Sequence, residues 1–228
     1  MEREATPRKP SAGMSGCLAG LESTSEDLKM GILVGKEAPD FSAKAVLHQR
    51  ILDAFSLSMF RGRPVVLFFY PLDFTFVCPT ELHAFQDAMP LFEARGAQLI
   101  GISVDSHFSH LAWLQMPKSH GGIQGVSFPL VSDMTKEIAR AYDVLKEDEG
   151  IAYRGLFIID GDGIVRHQLV NDLPLGRSVD EALRVLDALA FFEQNGEVCP
   201  ANWRQGSAGI HPTQEGLLSY FALRNGHR

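Results

Sequence analysis

The sequence is short of cysteine, of long apolar runs and of positive charge. Its 228 residues include three cysteines, Cys17, Cys78 and Cys199, which are too few and too scattered for a disulfide framework or a zinc site. No apolar stretch approaches the roughly 20 residues that a membrane-spanning helix needs. The net charge of -7 argues against nucleic acid or an anionic membrane as the main partner. We expect a cytoplasmic protein, in which sparse cysteines are more often structural or catalytic than paired in disulfides.

Motifs for several other chemistries are also missing. The chain has no Cys-x-x-Cys pair, no glycine-rich phosphate loop and no Gly-x-Ser-x-Gly, which disfavours a thioredoxin-like disulfide exchanger among other classes. The run DGDG at residues 160–163 resembles the start of a calcium loop, but the twelfth position is Asn171 rather than Glu, and Ile164 replaces an oxygen ligand. We therefore predict a turn there, and no metal or other cofactor.

The first 29 residues differ in composition from the rest. They are rich in Glu, Ser, Gly and basic residues and have no periodic apolar face, so we predict a disordered N-terminal extension. They lack the apolar core of a secretory signal, and their acidic residues are wrong for a transit peptide. Met30 is a candidate alternative start, and Cys17 is interpreted as an incidental thiol. We expect a folded domain over residues 30–195 and a tail over residues 196–228.

Strand-like and helix-like segments alternate from Met30 onward. Apolar, β-branched runs predict strands and periodic runs predict helices: strands at residues 65–69, 97–104 and 156–159, and helices at residues 107–115, 135–142 and from about Asp180. The turn at residues 160–163 predicts a hairpin into a further strand over residues 164–170. Strand–helix units followed by a late hairpin predict an α/β fold, with a central mixed sheet flanked by helices. The order of the elements resembles a thioredoxin fold.

Cys78 stands between a predicted strand and a predicted helix. From Pro79 onward one face of that helix is apolar, through Leu82, Phe85, Met89 and Phe92. Pro79 suits the first helical turn, where its missing N–H costs nothing. The unpaired amides and the macrodipole of a helix N-terminus favour a thiolate over a thiol. The sequence therefore predicts that Cys78 is reactive.

Two neighbours of Cys78 suit a peroxide as substrate. A thiolate that attacks a peroxide needs the O–O bond oriented and the departing oxygen stabilised. If the first helical turn begins at Thr75, its hydroxyl shares a face with Cys78 and can both donate and accept hydrogen bonds. Pro71 would close the pocket without adding a competing N–H.

The spacing Pro71-x-x-x-Thr75-x-x-Cys78 resembles the signature of the peroxiredoxins. Longer blocks resemble the typical 2-Cys subgroup, the alkyl hydroperoxide reductase C and thioredoxin peroxidase type: residues 68–81 (FFYPLDFTFVCPTE), 103–113 (SVDSHFSHLAW), 153–160 (YRGLFIID) and 171–181 (NDLPLGRSVDE). The resemblance extends from about Met30 to the C-terminus. It implies a thioredoxin-like fold and a thiol-dependent peroxidase for hydrogen peroxide and small organic hydroperoxides.

The resemblance also implies residue roles. Cys78 is similar to the peroxidatic cysteine, which becomes a sulfenic acid, with Thr75 and Pro71 as pocket residues. Arg154 is similar to the arginine that holds the thiolate and the developing oxyanion, and a guanidinium does so without losing its proton. Glu81 and Arg177 resemble the partners that fix Arg154 in place. Taken singly, the two arginines could be surface charges, Glu81 a first-turn residue and Thr75 a cap.

Cys199 lies in the run GEVCPANW at residues 196–203, which resembles the motif of the resolving cysteine. In the family that cysteine condenses with the sulfenic acid of the neighbouring subunit, which implies a homodimer. Sequence distance alone leaves open whether Cys78 and Cys199 pair within or between chains, and Cys199 could also be a small buried residue. The resemblance further implies assembly to a decamer and reduction by thioredoxin or a flavoprotein disulfide reductase.

Formation of that disulfide requires the first turn of the Cys78 helix to unwind. Family members with a Gly-Gly-Leu-Gly loop and a C-terminal Tyr-Phe helix unwind slowly and overoxidise more easily. This chain has Tyr220-Phe221, but its loop reads GGIQG at residues 121–125, with Gln124 in place of a glycine. We expect intermediate sensitivity. A ring-forming chaperone or peroxide-signal relay is the alternative function, and it is compatible as a second activity.

Overall fold

The computed structural model describes residues 31–225. The predicted disordered extension and Cys17 lie outside the described residues. The strands are β1 (Ser42–Leu47), β2 (Arg50–Ser56), β3 (Val65–Phe69), β4 (Gln98–Ser103), β5 (Leu130–Ser132), β6 (Leu145–Lys146), β7 (Ile151–Ala152), β8 (Arg154–Ile159) and β9 (Val165–Asn171). The helices are α1 (Cys78–Asp87), α2 (Met89–Glu93), α3 (His107–Gln115), α4 (Glu137–Ala141), α5 (Val179–Asn195) and α6 (Gln214–Asn225). Within residues 31–225, no helix is long and apolar enough to cross a membrane.

The central sheet has seven strands in the order β2-β1-β5-β4-β3-β8-β9. β3 and β4 are parallel, as are β4 and β5, whereas β8 runs antiparallel to both β3 and β9. The sheet is therefore mixed, as the alternation of elements predicted. The β1–β2 hairpin was not predicted, because its turn places His48 and Gln49 at φ values of 48° and 60°, where the usual signal is glycine or asparagine.

Central strand β3 is buried along its whole length. Its alternate side chains point to opposite faces. Val66 and Phe68 pack with side chains of α1, α2, α3 and α5, while Leu67 and Phe69 pack with α4 and the segments around it. Helices thus cover both faces of the sheet. Since burial of each such apolar side chain contributes about 1.5–3 kcal/mol, β3 is a firm support for the loop that follows it.

Two predicted helices differ from the structure. The single helix predicted from Pro79 through Phe92 is in fact two, α1 and α2, separated at Ala88. Pro90 explains the break, because it cannot donate the next hydrogen bond of a continuous helix. The helix predicted over residues 135–142 is shorter. It begins at Glu137, where the Asp133 carboxylate accepts from the amides of Ile138 and Ala139 at 3.1 and 2.7 Å and fixes the helix start.

Candidate active site

Cys78 is the first residue of α1, and its side chain is fully buried. The first turn of α1 is formed by hydrogen bonds from the Thr80 and Glu81 amides to the Val77 carbonyl, at 3.0 and 3.2 Å. Pro79 occupies the first turn, as the sequence predicted. The Cys78 thiol therefore lies at the amino end of a helix, out of contact with solvent.

Thr75 and Pro71 lie in the loop that leads from β3 to α1. The helix begins at Cys78 rather than at Thr75, so the helical turn on which the Thr75 argument depended is not formed. Instead the Thr75 hydroxyl donates to the Leu72 carbonyl at 2.9 Å, which leaves the oxygen free to accept. Thr75 is half-buried and Pro71 is buried. Their contact with a substrate stays a prediction.

Arg154 begins β8 and reaches the thiol directly. Its Nη1 lies 3.5 Å from Cys78 Sγ and 2.7 Å from Glu81 Oε2, and its Nε donates to the Leu173 carbonyl at 2.7 Å. The side chain is 4% exposed. The surface-charge alternative for Arg154 is therefore wrong. A guanidinium held in this way places a permanent positive charge beside the sulfur.

Glu81 joins Arg154 to a second buried guanidinium, that of Arg177. Arg177 Nε lies 2.7 Å from Glu81 Oε1 and Arg177 Nη2 lies 2.9 Å from Oε2, and Arg177 Nη1 also donates to the Phe69 and Gly155 carbonyls at 2.7 and 2.6 Å. Burial alone would raise the pKa of Glu81, but the hydrogen bonds and charge of Arg177, with the charge of Arg154, lower it. Glu81 is therefore ionised.

The charges of this cluster do not cancel. Two guanidiniums with side chains 4% and 1% exposed share one carboxylate, which leaves one net positive charge in a buried site. An uncompensated buried charge is costly. A thiolate on Cys78 would balance it. The Cys78 sulfur lies 3.5 Å from one of these two guanidiniums.

Cys199 lies in an irregular segment that packs against α5. It is half-buried, and its Sγ approaches the Ala188 carbonyl at 3.4 Å. The same segment is held to α5 by a bond from Arg184 to the Trp203 carbonyl at 3.2 Å and by the rings of Phe191 and Trp203, 4.8 Å apart. Burial raises the pKa of the Cys199 thiol, and the charge of Arg184 opposes that rise. In this single chain Cys78 and Cys199 are both free thiols.

The GGIQG loop and helix α6, on which the predicted sensitivity to overoxidation is based, contact different parts of the chain. In the GGIQG loop, the Gly121 and Gly122 carbonyls contact the Trp113 and His83 rings at 2.9 and 3.0 Å, whereas Gln124 is exposed. A Cβ at Gly122 would lie 2.0 Å from a backbone oxygen, so that glycine is required. Tyr220 of α6 lines a cavity with the Cys199 segment, among Pro200, Ala201, Asn202, Trp203, Ser207 and Ala208. The predicted intermediate sensitivity stays a prediction.

Sequence patterns did not reveal a group of three buried polar residues beside the loop between β3 and α1. Tyr70, Asp73 and His110 are at most 6% exposed and contact one another through their side chains. A signal was available, because Asp73 stands between Leu72 and Phe74, and His110 precedes an apolar stretch of α3. A polar side chain in such a setting requires a partner, but the sequence does not say which.

The chain matches two family descriptions. The AhpC/TSA family matches residues 34–168, and the C-terminal domain of 1-Cys peroxiredoxin matches residues 188–222. The second match includes Cys199, so the tail here carries a further cysteine within a region described for one-cysteine relatives.

Named relatives are similar over most of the chain. Peroxiredoxin-2 of Mus musculus is 53% identical over 192 residues, which cover 84% of this chain and 96% of that protein. Thioredoxin peroxidase of Echinococcus granulosus is 52% identical over 193 residues, covering 85% and 100%. The crystal structure of the reduced 2-Cys peroxiredoxin of Plasmodium vivax superposes with a TM-score of 0.81 at 46% identity, covering 84% and 99%. The thioredoxin-like fold expected from the sequence is confirmed.

Proposed function

Because this chain belongs to the AhpC/TSA family, is a peroxiredoxin and is therefore a peroxidase enzyme, we propose that Cys78 is the residue that attacks the peroxide. Its thiolate attacks one peroxide oxygen, the O–O bond breaks, and the other oxygen leaves as water or an alcohol after it takes up a proton. Cys78 becomes a sulfenic acid. The observation that carries this proposal is the 3.5 Å approach of Arg154 Nη1 to Cys78 Sγ.

Each remaining site residue has a part in that step. Arg154 stabilises the thiolate before the attack and the departing oxygen during it. Glu81 and Arg177 hold Arg154, since all three form one buried cluster. The Thr75 hydroxyl, which donates to Leu72, accepts a hydrogen bond from the peroxide, and Pro71 walls the pocket. The substrates are hydrogen peroxide and small organic hydroperoxides.

For the second step, we propose that Cys199 of a partner subunit condenses with the sulfenic acid and releases water. Thioredoxin or a flavoprotein disulfide reductase then supplies two electrons to the disulfide. A homodimer is the minimum assembly, and a decamer is expected from the family resemblance. Large exposed aromatic side chains near the site support assembly, with Phe74, Phe76 and Phe108 exposed by 52, 92 and 66%. We expect this to occur in the cytoplasm.

Substitution of the peroxide-attacking thiol tests the first step. Cys78→Ser should lower the rate of peroxide consumption about a thousandfold or more, because a serine hydroxyl is far less nucleophilic than a thiolate. Cys199→Ser is the matched control, since it should still consume one equivalent of peroxide per chain in a stopped-flow assay. Fast turnover in Cys78→Ser would refute the assignment.

Peroxide-dependent cross-linking tests the second step. After one equivalent of peroxide, a non-reducing gel should show a covalent dimer in the native protein and none in Cys199→Ser. A dimer that persists in Cys199→Ser and disappears in Cys17→Ser would assign the cross-link to Cys17 instead. Turnover assayed in parallel with thioredoxin and with a flavoprotein reductase identifies the reductant.

A chaperone or signal-relay role stays a prediction. A protein that acted by binding unfolded chains alone would have no use for an arginine aimed at a buried thiol. The arrangement of Cys78, Glu81 and Arg154 therefore favours the peroxidase, with chaperone action as an additional property of the oligomer.

A further inference from the structure

The Asp73 side chain is a buried hydrogen-bond acceptor for three different residues. Asp73 Oδ1 accepts from the Tyr70 hydroxyl at 2.9 Å, and Asp73 Oδ2 accepts from the Ser109 hydroxyl at 2.7 Å and from His110 Nδ1 at 2.9 Å. Its backbone amide donates to Asp105 Oδ2 at 2.8 Å. Asp73 is 6% exposed. The loop before α1 is thus bonded at one residue to both the end of β4 and helix α3.

His110 adds further contacts to the group of residues around Asp73, here called the Asp73 cluster. The ring is fully buried, with Nδ1 facing Asp73 and Nε2 facing the Val131 carbonyl at 3.2 Å. Burial, followed by the charge of Asp73, raises the pKa of Tyr70, so its hydroxyl remains a donor. Charge-assisted bonds of this kind are stronger than neutral ones.

The residues immediately after Asp73 are held much less firmly. Phe74 is 52% exposed and has a φ of 56°, and Phe76 is 92% exposed. Thr80 is exposed as well. Firm attachment resumes at Glu81, which is bonded to Arg154 and Arg177. Residues 74–77 are therefore the least buried part of the chain between Asp73 and the fully buried Cys78.

We propose that Asp73 is a positioning residue for peroxide reduction, and that its cluster fixes the amino-terminal limit of the segment that unwinds around Cys78. Residues 70–73 keep their structure when residues 74–80 open. Segments with few buried contacts open first, and the opening stops where the charge-assisted bonds begin. The proposal rests on the proposed function of Cys78, and it adds a residue that touches neither the thiol nor the arginine.

A fixed amino-terminal end of the unwinding segment has two consequences for the reaction. A short opening segment refolds with little loss of chain entropy, so the peroxide pocket of Thr75 and Pro71 re-forms after every cycle. Loss of the limit would let the pocket loop open along with Cys78. The rate of peroxide attack would then fall, because the pocket is less often assembled, while the release of Cys78 toward a partner would become easier.

Two buried tyrosines provide a matched pair of variants. The Tyr70 hydroxyl donates to Asp73 Oδ1 and the Tyr142 hydroxyl donates to the Pro39 carbonyl, each at 2.9 Å, and both rings are fully buried. Tyr70→Phe and Tyr142→Phe therefore each remove one buried hydrogen bond and should cost comparable stability. Only Tyr70→Phe weakens the Asp73 cluster.

The test combines hydrogen exchange of the full chain with peroxide kinetics. In the reduced native protein, amides of residues 74–80 should exchange faster than the amides of residues 70–73, and this difference should shrink in Tyr70→Phe and persist in Tyr142→Phe. The second-order rate constant for peroxide should fall about three- to tenfold in Tyr70→Phe, the range for one lost hydrogen bond. This rate constant should stay unchanged in Tyr142→Phe. It should fall further in Asp73→Asn than in Tyr70→Phe.

Two results would overturn the proposal. One is exchange of residues 70–73 together with residues 74–80 in the reduced native protein, which needs no variant and no peroxide. The other is an equal change of the peroxide rate constant in Tyr70→Phe and Tyr142→Phe. A native protein in which peroxide leaves Cys78 unmodified would refute the proposed function instead, and the exchange pattern would still be readable.

Discussion

Cys78 and Cys199 differ in how firmly the protein holds them. Cys78 is fully buried at a helix start, with a guanidinium 3.5 Å from its sulfur, and that guanidinium is also bonded to Glu81 and to the Leu173 carbonyl. Cys199 is half-buried in an irregular segment, and its sulfur approaches a backbone carbonyl at 3.4 Å. A thiol that attacks a small peroxide benefits from a prearranged site. The role proposed for Cys199, to meet a sulfenic acid on another chain, benefits from a segment that can move.

The arginine near Cys78, Arg154, and the arginine near Cys199, Arg184, differ in the same way. Arg154 has a side chain 4% exposed, while the side chain of Arg184 near Cys199 is 27% exposed and paired with Glu181 at 2.7 Å. Charges in a buried site act strongly, whereas partly exposed charges are screened by water. The arginine near each sulfur should therefore have a very unequal effect on the chemistry of that sulfur.

The largest effect in this comparison is expected from Arg154→Lys, with Arg184→Lys as its control. Arg154→Lys should lower kcat/KM for peroxide about a hundredfold, because one ammonium cannot bond Cys78, Glu81 and Leu173 from the positions that the guanidinium fork occupies. Arg184→Lys should leave it unchanged. Stopped-flow peroxide consumption checks both, and equal losses in the two variants would break the contrast.

A smaller effect concerns stability and its dependence on pH. Glu81→Gln should destabilise the reduced protein by about 3–5 kcal/mol, since it leaves two buried guanidiniums without a counter-charge. The folded state lowers the pKa of Glu81, so its stabilisation is complete above the ordinary value of 4.5 and is lost as pH falls through the lowered folded value. The difference in urea midpoint between native protein and variant should therefore be constant at neutral pH and shrink below pH 4.5.

Glu147→Gln is the control for that measurement. Glu147 pairs with Arg140 at 2.9 Å, but both side chains are largely exposed, at 65 and 48%. Its loss should leave the urea midpoint unchanged at a fixed protein concentration. A shift as large as that of Glu81→Gln would show that burial does not decide the strength of these ion pairs.

The smallest effect is expected at Arg184. Burial raises the pKa of Cys199 and the charge of Arg184 opposes the rise, so Arg184→Gln should raise that pKa further and leave less thiolate at neutral pH. Disulfide formation after a pulse of peroxide should slow about twofold at pH 7, a modest change because the arginine is partly exposed. The pH profile of this step should move to higher pH, while Arg184→Lys keeps the native profile. An unmoved profile in Arg184→Gln would exclude the charge effect.

Local sequence patterns predicted much of the fold. The buried strand β3 and helix α3 occur where apolar runs and periodicity placed them, because these patterns act over neighbouring residues. The helix predicted from Pro79 through Phe92 forms but is interrupted at Ala88, although Pro90 was visible in the sequence as a breaker. The β1–β2 hairpin was not predicted, because a turn without glycine lacks the local sequence signal of a hairpin.

The sequence by itself determined the reactive neighbourhood of Cys78. A strand, a short loop with Pro71 and Thr75, and a helix start are all encoded within residues 65–79, and the first block of the family resemblance, residues 68–81, overlaps them. The local sequence could not show whether Arg154 and Arg177 are surface charges or parts of the site, and the Arg154 role came from resemblance alone.

Tertiary structure decided how the charges meet. Arg154 is 76 residues from Cys78 along the chain, and Arg177 is 96 residues from Glu81. Antiparallel pairing of β8 with β3, followed by the return of the chain after β9, brings these groups within hydrogen-bonding distance. The resulting excess of one buried positive charge is a property of the assembled cluster. No single segment contains it, because charge balance depends on which side chains share a buried volume.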